Sequence, residues 1–247
     1  MILVVSPHFD DAALSCAEHI RSWRATGHEV TVATLFSEFG SDPASSFMAP
    51  FLRAKNFRSV PEYEVARREE DVRAMKLMGV SYKWLGLCDA GFRQRQGRAA
   101  YSNRQELTSG KLGPEETHIV DEARQRLAAI AAPDFMVAPM GIGGHVDHLV
   151  ARTACQKLAS SGPPLAYYAD FPYARNPLNF TLSVCKLVKG LRISARRMTQ
   201  WKREVLAQYQ SQMSFLFRGR PYYPEVLFLP REMRGAVHSP RQEKALP

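Results

Sequence analysis

Two short stretches carry side chains of a type and spacing that could do chemistry. "SPHFDDAALS" sets His8, Asp10 and Asp11 within four residues, and "GIGGHVDHLV" sets His145, Asp147 and His148 within another four. Imidazole and carboxylate suit a borderline divalent ion such as Zn²⁺, whose catalytic sites use three N or O protein ligands and keep a position for water. His8, Asp11 and His148 would make a His₂Asp set, leaving Asp10 free as a base. Each residue taken singly has a plainer reading. Asp10 or Asp11 could cap a helix, and either histidine of the second pair could be a hydrogen-bonded core side chain. The pairing of the two clusters, each just beyond an apolar run, is what favours a site.

Such side chains need elements that aim them. The runs at 2–5, 29–36, 82–87, 134–139 and 165–170 read as strands, and helical patterns fall near 11–26, 61–79, 116–132 and 146–161. This α/β rhythm predicts a mostly parallel sheet with helices on both faces. Both clusters then lie beyond the carboxyl ends of strands, where open sheets of this kind bind ligands. The first loop has no glycine and no GxGxxG follows a strand, which speaks against a dinucleotide turn. Gly141, Gly143 and Gly144 permit a tight turn before His145, and an i, i+3 spacing puts His145 and His148 on one helix face.

The rest of the chain sets boundaries. Residues 38–60 and 88–114 lack periodicity and are expected to wall the site. A core over 1–173, a small basic C-terminal lobe over 174–233 that completes the cleft, and a frayed tail over 234–247 are predicted. Between Lys186 and Arg220 nine Lys or Arg face one acid, Glu204, so nearly all of the net charge of +9 lies there. A basic helix around 195–213 would pack Trp201, Val205, Tyr209 and Met213 inward and its cations outward, toward solvent, an anionic substrate or an acidic membrane surface. No nucleic-acid motif accompanies the charge. The four cysteines lack CxxC spacing, and "MILVV" runs directly into a polar loop, which together read as a reduced, cytoplasmic protein.

"PHFDDAALS" with "GGHVDH" resembles the LmbE-like, or PIG-L, N-acetylglucosamine deacetylases, as do "RREEDVRAMKLMG", "WLGLCDAG" and "KREVLAQYQSQ", so the likeness runs over most of the first 212 residues. The resemblance implies a Rossmann-like fold and one zinc per chain on His8, Asp11 and His148. It implies hydrolysis of an N-acetyl group on an amino-sugar conjugate with release of acetate, and the basic segment adds that the conjugate could be anionic or lipid-linked. Asp10 would be the general base. His145, protonated and held by Asp147, would stabilise the oxyanion, and Arg67 and Asp89 would contact the sugar. Asp170, at the end of the fifth strand, is either a support for the metal site or a turn former. Ala12 departs from the glutamate usual in the family. The rival readings are a nucleotide-using Rossmann-type protein and a non-catalytic module that binds anions through its basic lobe.

Overall fold

The computed structural model describes residues 1–41, 44–175, 191–216 and 224–230. The strands are Ile2–Ser6 (β1), Val30–Glu38 (β2), Ser81–Cys88 (β3), Gln94–Arg95 (β4), Arg98–Ala99 (β5), Phe135–Pro139 (β6), Leu165–Tyr168 (β7), Arg192–Arg196 (β8) and Glu225–Leu229 (β9). The helices are Asp11–Ala25 (α1), Met48–Ala54 (α2), Val60–Met78 (α3), Arg104–Leu107 (α4), Thr117–Ala128 (α5), Val146–Ala159 (α6), Gln200–Leu206 (α7) and Gln210–Leu216 (α8).

Hydrophobic runs buried on both faces build the sheet's centre. Ile2 and Val4 of β1 enter a core with α1 and α3, whereas Leu3 and Val5 enter a second core with α5 and α6. This is the alternation of a strand covered on both sides. The sheet order is β3-β2-β1-β6-β7-β9-β8, parallel from β3 through β7, while β4 and β5 form a separate hairpin. From β1 the chain winds outward to β3 and then crosses back to β6 on β1's other side. The order therefore reverses between β1 and β6, and the two clusters follow those two strands.

In the C-terminal segment the expected helix has other bounds. The segment's described strands add to the main sheet, with β9 antiparallel to β7 and to β8. Residues 192–196 pair with β9, so the helix expected around 195–213 starts only at Gln200 and breaks before α8, where Gln208 and Tyr209 donate to the carbonyls three residues back. The inward stripe is real: Val205 and Tyr209 are buried, and Trp201 and Met213 pack against the same core. The outward cations are not all outward. Lys202 is 1% exposed and bonds to Glu225 and to the Leu14 carbonyl, because its ammonium finds a buried carboxylate beneath α1. Arg196 donates to the Ser22 hydroxyl. The tail 234–247, Lys186, Lys189, Arg218, Arg220 and Cys185 lie outside the described residues. Cys16 and Cys155 are buried free thiols and Cys88 is half-buried. Among the described residues no helix is long and apolar enough to cross a membrane.

Candidate metal centre

The loop from β1 into α1 is built around Ser6. Its hydroxyl donates to the His8 carbonyl and accepts from the Ala12 N–H, supplying the cap that Asp10, at the N-cap position, does not make. Asp10 is thus left to the cavity it lines. Ala12 itself is fully buried in the core. Asp11 Oδ2 accepts the His8 N–H at 2.9 Å, which fixes the carboxylate beside the imidazole.

The loop from β6 into α6 turns on glycine. Gly143 and Gly144 have φ of 86° and 70°, and a Cβ would lie 2.4 Å from the Tyr173 ring at the first and 2.7 Å from the Gly110 Cα at the second. No other residue fits either position. His145 then caps α6, its Nδ1 accepting the Asp147 N–H at 3.2 Å.

Three donor atoms converge between the loops. Asp11 Oδ2 lies 3.1 Å from His8 Nδ1 and 3.4 Å from His148 Nε2, and ligand atoms of the three residues all fall within 4.8 Å of one another. A tetrahedral ion with bonds of about 2.0–2.1 Å has ligand–ligand edges of about 3.3–3.4 Å, so the set fits zinc. Each imidazole is backed by a buried carboxylate: His8 Nε2 by Asp147 Oδ2 at 3.1 Å, and His148 Nδ1 by Asp170 Oδ1 at 2.6 Å. Such partners orient metal-binding histidines and raise their basicity.

The electrostatics follow the same contacts. Burial alone would lower the His148 pKa, but Asp11 and Asp170 more than reverse it, to about 9. At His8, burial is likewise outweighed by Asp11, Asp147 and Asp89. A place that stabilises positive charge on two imidazoles is also one that favours a cation between them. A second grouping, His8, His145 and Asp147, is close enough in space. There Asp147 is already engaged, by Arg93 at 2.6 Å, by the Ala90 N–H at 2.9 Å and by His8, so the first set is the better cage.

The geometry revises two expectations. Asp147 does not hold the His145 ring with its carboxylate, which is turned to His8 and Arg93; only its backbone N–H meets His145. Nor is His145 an imidazolium, since burial and the charge of His8 depress its pKa to about 3. With Nδ1 accepting, the neutral ring carries its proton on Nε2. Arg67 and Glu70 form a buried pair, 3% and 4% exposed, and Arg67 also donates to Asp10 Oδ1 at 3.1 Å. Sequence reasoning missed Arg93, Arg104, Tyr63 and Tyr173, which carry no motif signal and acquire their places through loops 88–114 and 171–175 and helix α3.

Over the cluster lies a cavity of about 350 Å³. His8, Asp10, Asp11, His145 and His148 line it, together with Asp89, Arg67, Arg104 and Gln212 and an apolar wall that includes Phe47, Phe51, Tyr63 and Tyr173. The two aperiodic segments supply much of this wall, as expected of them.

A doubly wound sheet with a His–Asp–His donor set, a neighbouring carboxylate and a half-open cavity at its switch point defines an α/β protein equipped for metal-assisted hydrolysis. Residues 3–159 match the PIG-L family model, described as GlcNAc-PI de-N-acetylase, and the chain belongs to that family. A 2'-N-acetylparomamine deacetylase of Streptomyces fradiae is 35% identical over 175 residues, 70% of this chain and 57% of that protein. The match thus spans little more than half the length of the Streptomyces relative. A protein of the same name from Niallia circulans is 30% identical over 232 residues, 87% of this chain and 82% of its own. In fold, the chain is similar to a deacetylase of the teicoplanin biosynthesis pathway, with a TM-score of 0.75 at 23% identity over 92% of this chain and 96% of that one.

Proposed function

We propose that the protein is a zinc-dependent N-deacetylase that hydrolyses the N-acetyl group of an amino-sugar conjugate. The observation that carries this reading is the convergence of His8 Nδ1, Asp11 Oδ2 and His148 Nε2 beside a cavity that Asp10 also lines. The two relatives named for deacetylation of an amino sugar support it. One Zn²⁺ held by those three residues would supply Lewis acidity and an activated water near neutral pH.

The chain's own groups do the rest. Asp10 takes the proton from the attacking water. His145, neutral with its proton on Nε2, donates a hydrogen bond to the oxygen that gains charge as the amide carbonyl becomes tetrahedral. Asp10, now protonated, returns its proton to the leaving amine, which departs poorly as an anion. Asp89 offers a carboxylate to sugar hydroxyls, with Oδ1 already steadied by the Gly91 N–H at 2.7 Å. Arg67 acts mainly on Asp10, to which its guanidinium is bound. The anionic, lipid-linked and membrane-contact expectations rested on the whole basic run, in which Lys202 is buried, Arg192, Arg197 and Arg203 are exposed and Lys186, Lys189, Arg218 and Arg220 lie outside the described residues; the proposed function rests on the site residues and is confined to the amino-sugar conjugate.

Acetate release from 2'-N-acetylparomamine, free N-acetylglucosamine, alkyl N-acetylglucosaminides and a nucleotide-linked N-acetylglucosamine tests the proposal. Turnover of at least one that is lost on chelation and regained with zinc is the expected result. No acetate from any of them by zinc-loaded protein would overturn it.

A further inference from the structure

The motif fragments "RREED" and "YQSQ" stand 141 residues apart at Glu70 and Ser211, yet they meet. Glu70 Oε1 accepts the Ser211 N–H at 2.6 Å, and Oε2 accepts the Ser211 hydroxyl at 2.8 Å and Arg67 Nη1 at 3.2 Å. Arg67 Nη2 in turn reaches Asp10 Oδ1 at 3.1 Å. Gln212 Nε2 donates to the Ser211 hydroxyl at 2.7 Å, leaving its proton to Glu70, and also reaches the Tyr63 hydroxyl of the cavity wall at 3.3 Å. Lys55, from the end of α2, binds the Ser211 carbonyl and Gln212 Oε1. The start of α8 is therefore a hub tied to the base, to the aromatic wall and to α2.

We propose that Glu70 and Ser211 are positioning residues that set the Asp10 carboxylate through Arg67. An arginine has many rotamers, and here three contacts select one. The guanidinium lies 5.7 Å from the ring centroids of both Phe9 and Tyr209, and Glu70 fixes its third side. Among the described residues Asp10 has one side-chain partner, Arg67, so the carboxylate can be no better placed than the guanidinium that holds it. Glu70 would swing as an i, i+3 partner on one helix; the Ser211 N–H and hydroxyl stop it. Because Arg67 sits between two carboxylates, it orients Asp10 while only part of its charge falls on that residue.

The inference rests on reading Asp10 as the base, and Asp10→Asn is measured alongside to separate the two. Glu70→Gln places a single acceptor where three donors arrive, so Arg67 or Ser211 loses its partner. The expected result is a fall in kcat of about 10–100-fold with KM and zinc content near those of the parent, since a displacement of about 1 Å at a reacting group costs rate on that scale, together with a lowered thermal midpoint, because a buried donor loses its acceptor. Ser211→Ala should give a smaller fall, and Ser211→Thr, which keeps the hydroxyl, should recover most of it. That pair keeps the test open even where Glu70→Gln folds poorly. Unchanged kcat in Glu70→Gln beside an inactive Asp10→Asn would overturn the inference and leave the base intact. A rise in KM alone would overturn it too, making the pair a substrate contact. Full turnover by Asp10→Asn would instead remove the reading on which it rests.

Discussion

Helix α1 carries two buried polar clusters, and the difference between them separates a site from a staple. At its start, His8, Asp11 and His148 bring three lone pairs toward one point on a cavity. Further along, Glu225 accepts the N–H groups of Glu18 and His19, the His19 ring at 2.9 Å and Lys202 at 2.5 Å, while Glu18 accepts Thr199. Both clusters are charged and buried, and both shift pKa values. In the second, donors and acceptors answer one another, and none of Glu18, His19, Lys202 or Glu225 lines the cavity. Burial and perturbed ionisation are shared by structural ion pairs and functional groups alike. What marks the first cluster is a set of acceptors aimed at a common, reachable point.

Substitutions in the first cluster should cost chemistry. Asp11→Ala deletes a ligand, and the expected outcome is protein that purifies folded, with little zinc by elemental analysis and activity at background. Full zinc occupancy in that variant would dismantle the proposed cage. Asp10→Asn keeps all three ligands, so zinc content should hold while kcat falls by about 10²–10⁴-fold, the usual contribution of a general base.

The second cluster should cost stability instead. Glu225→Gln leaves the Lys202 ammonium buried without its counter-charge, a loss of about 3–5 kcal/mol by urea unfolding, with kcat per folded molecule and zinc content unchanged. The pH dependence has a definite sign. Burial alone would raise the Glu225 pKa from 4.5, but Lys202 and then His19 pull it down to about 2. A folded-state pKa below the unfolded one means that this stabilisation is complete above about pH 4.5 and disappears as the pH falls toward 2. The variant should therefore show a flatter acid limb in its stability profile than the parent. Equal slopes would mean that other carboxylates govern acid unfolding.

Much of the first cluster was readable in the sequence, and almost none of the second. The strands before His8 and His145 are apolar runs too short for a helix and ended by polar or turn residues, and an α/β winding places their ends side by side. The partners of those residues come from afar in the chain. Asp147 meets Arg93 across 54 residues and His8 across 139, so the adjacent His145 looked like its natural partner and was not. Lys202 read as one cation in a basic run, because its counter-charge lies at Glu225 on strand β9. Helix α2 hid within residues 38–60 since only Met48 and Leu52 of its seven residues are buried, too few to set a period. Strand β8 hid among arginines: it is an edge strand with Ile193 63% exposed, and edge strands need no apolar alternation to pair.

The mildest test probes the carboxylates behind the histidines, where the two clusters most resemble each other. Asp147 and Asp170 do not line the cavity and would pass for staples, yet each grips a proposed ligand. Asp170→Asn can still accept from His148 Nδ1, but its amide NH₂ then confronts the Ile142 N–H that Oδ2 now accepts at 2.9 Å. Asp147→Asn loses more, because Arg93 keeps its charge beside His8 with the counter-charge gone. Both should weaken zinc binding, within the roughly 10–100-fold range typical of such supports, with Asp147→Asn the weaker binder of the two. Competition against a chelator of known affinity at fixed pH reads the difference, and Glu18→Gln serves as the control from the second cluster. Unaltered zinc affinity in both aspartate variants, or an equal loss in Glu18→Gln, would erase the distinction between site and staple.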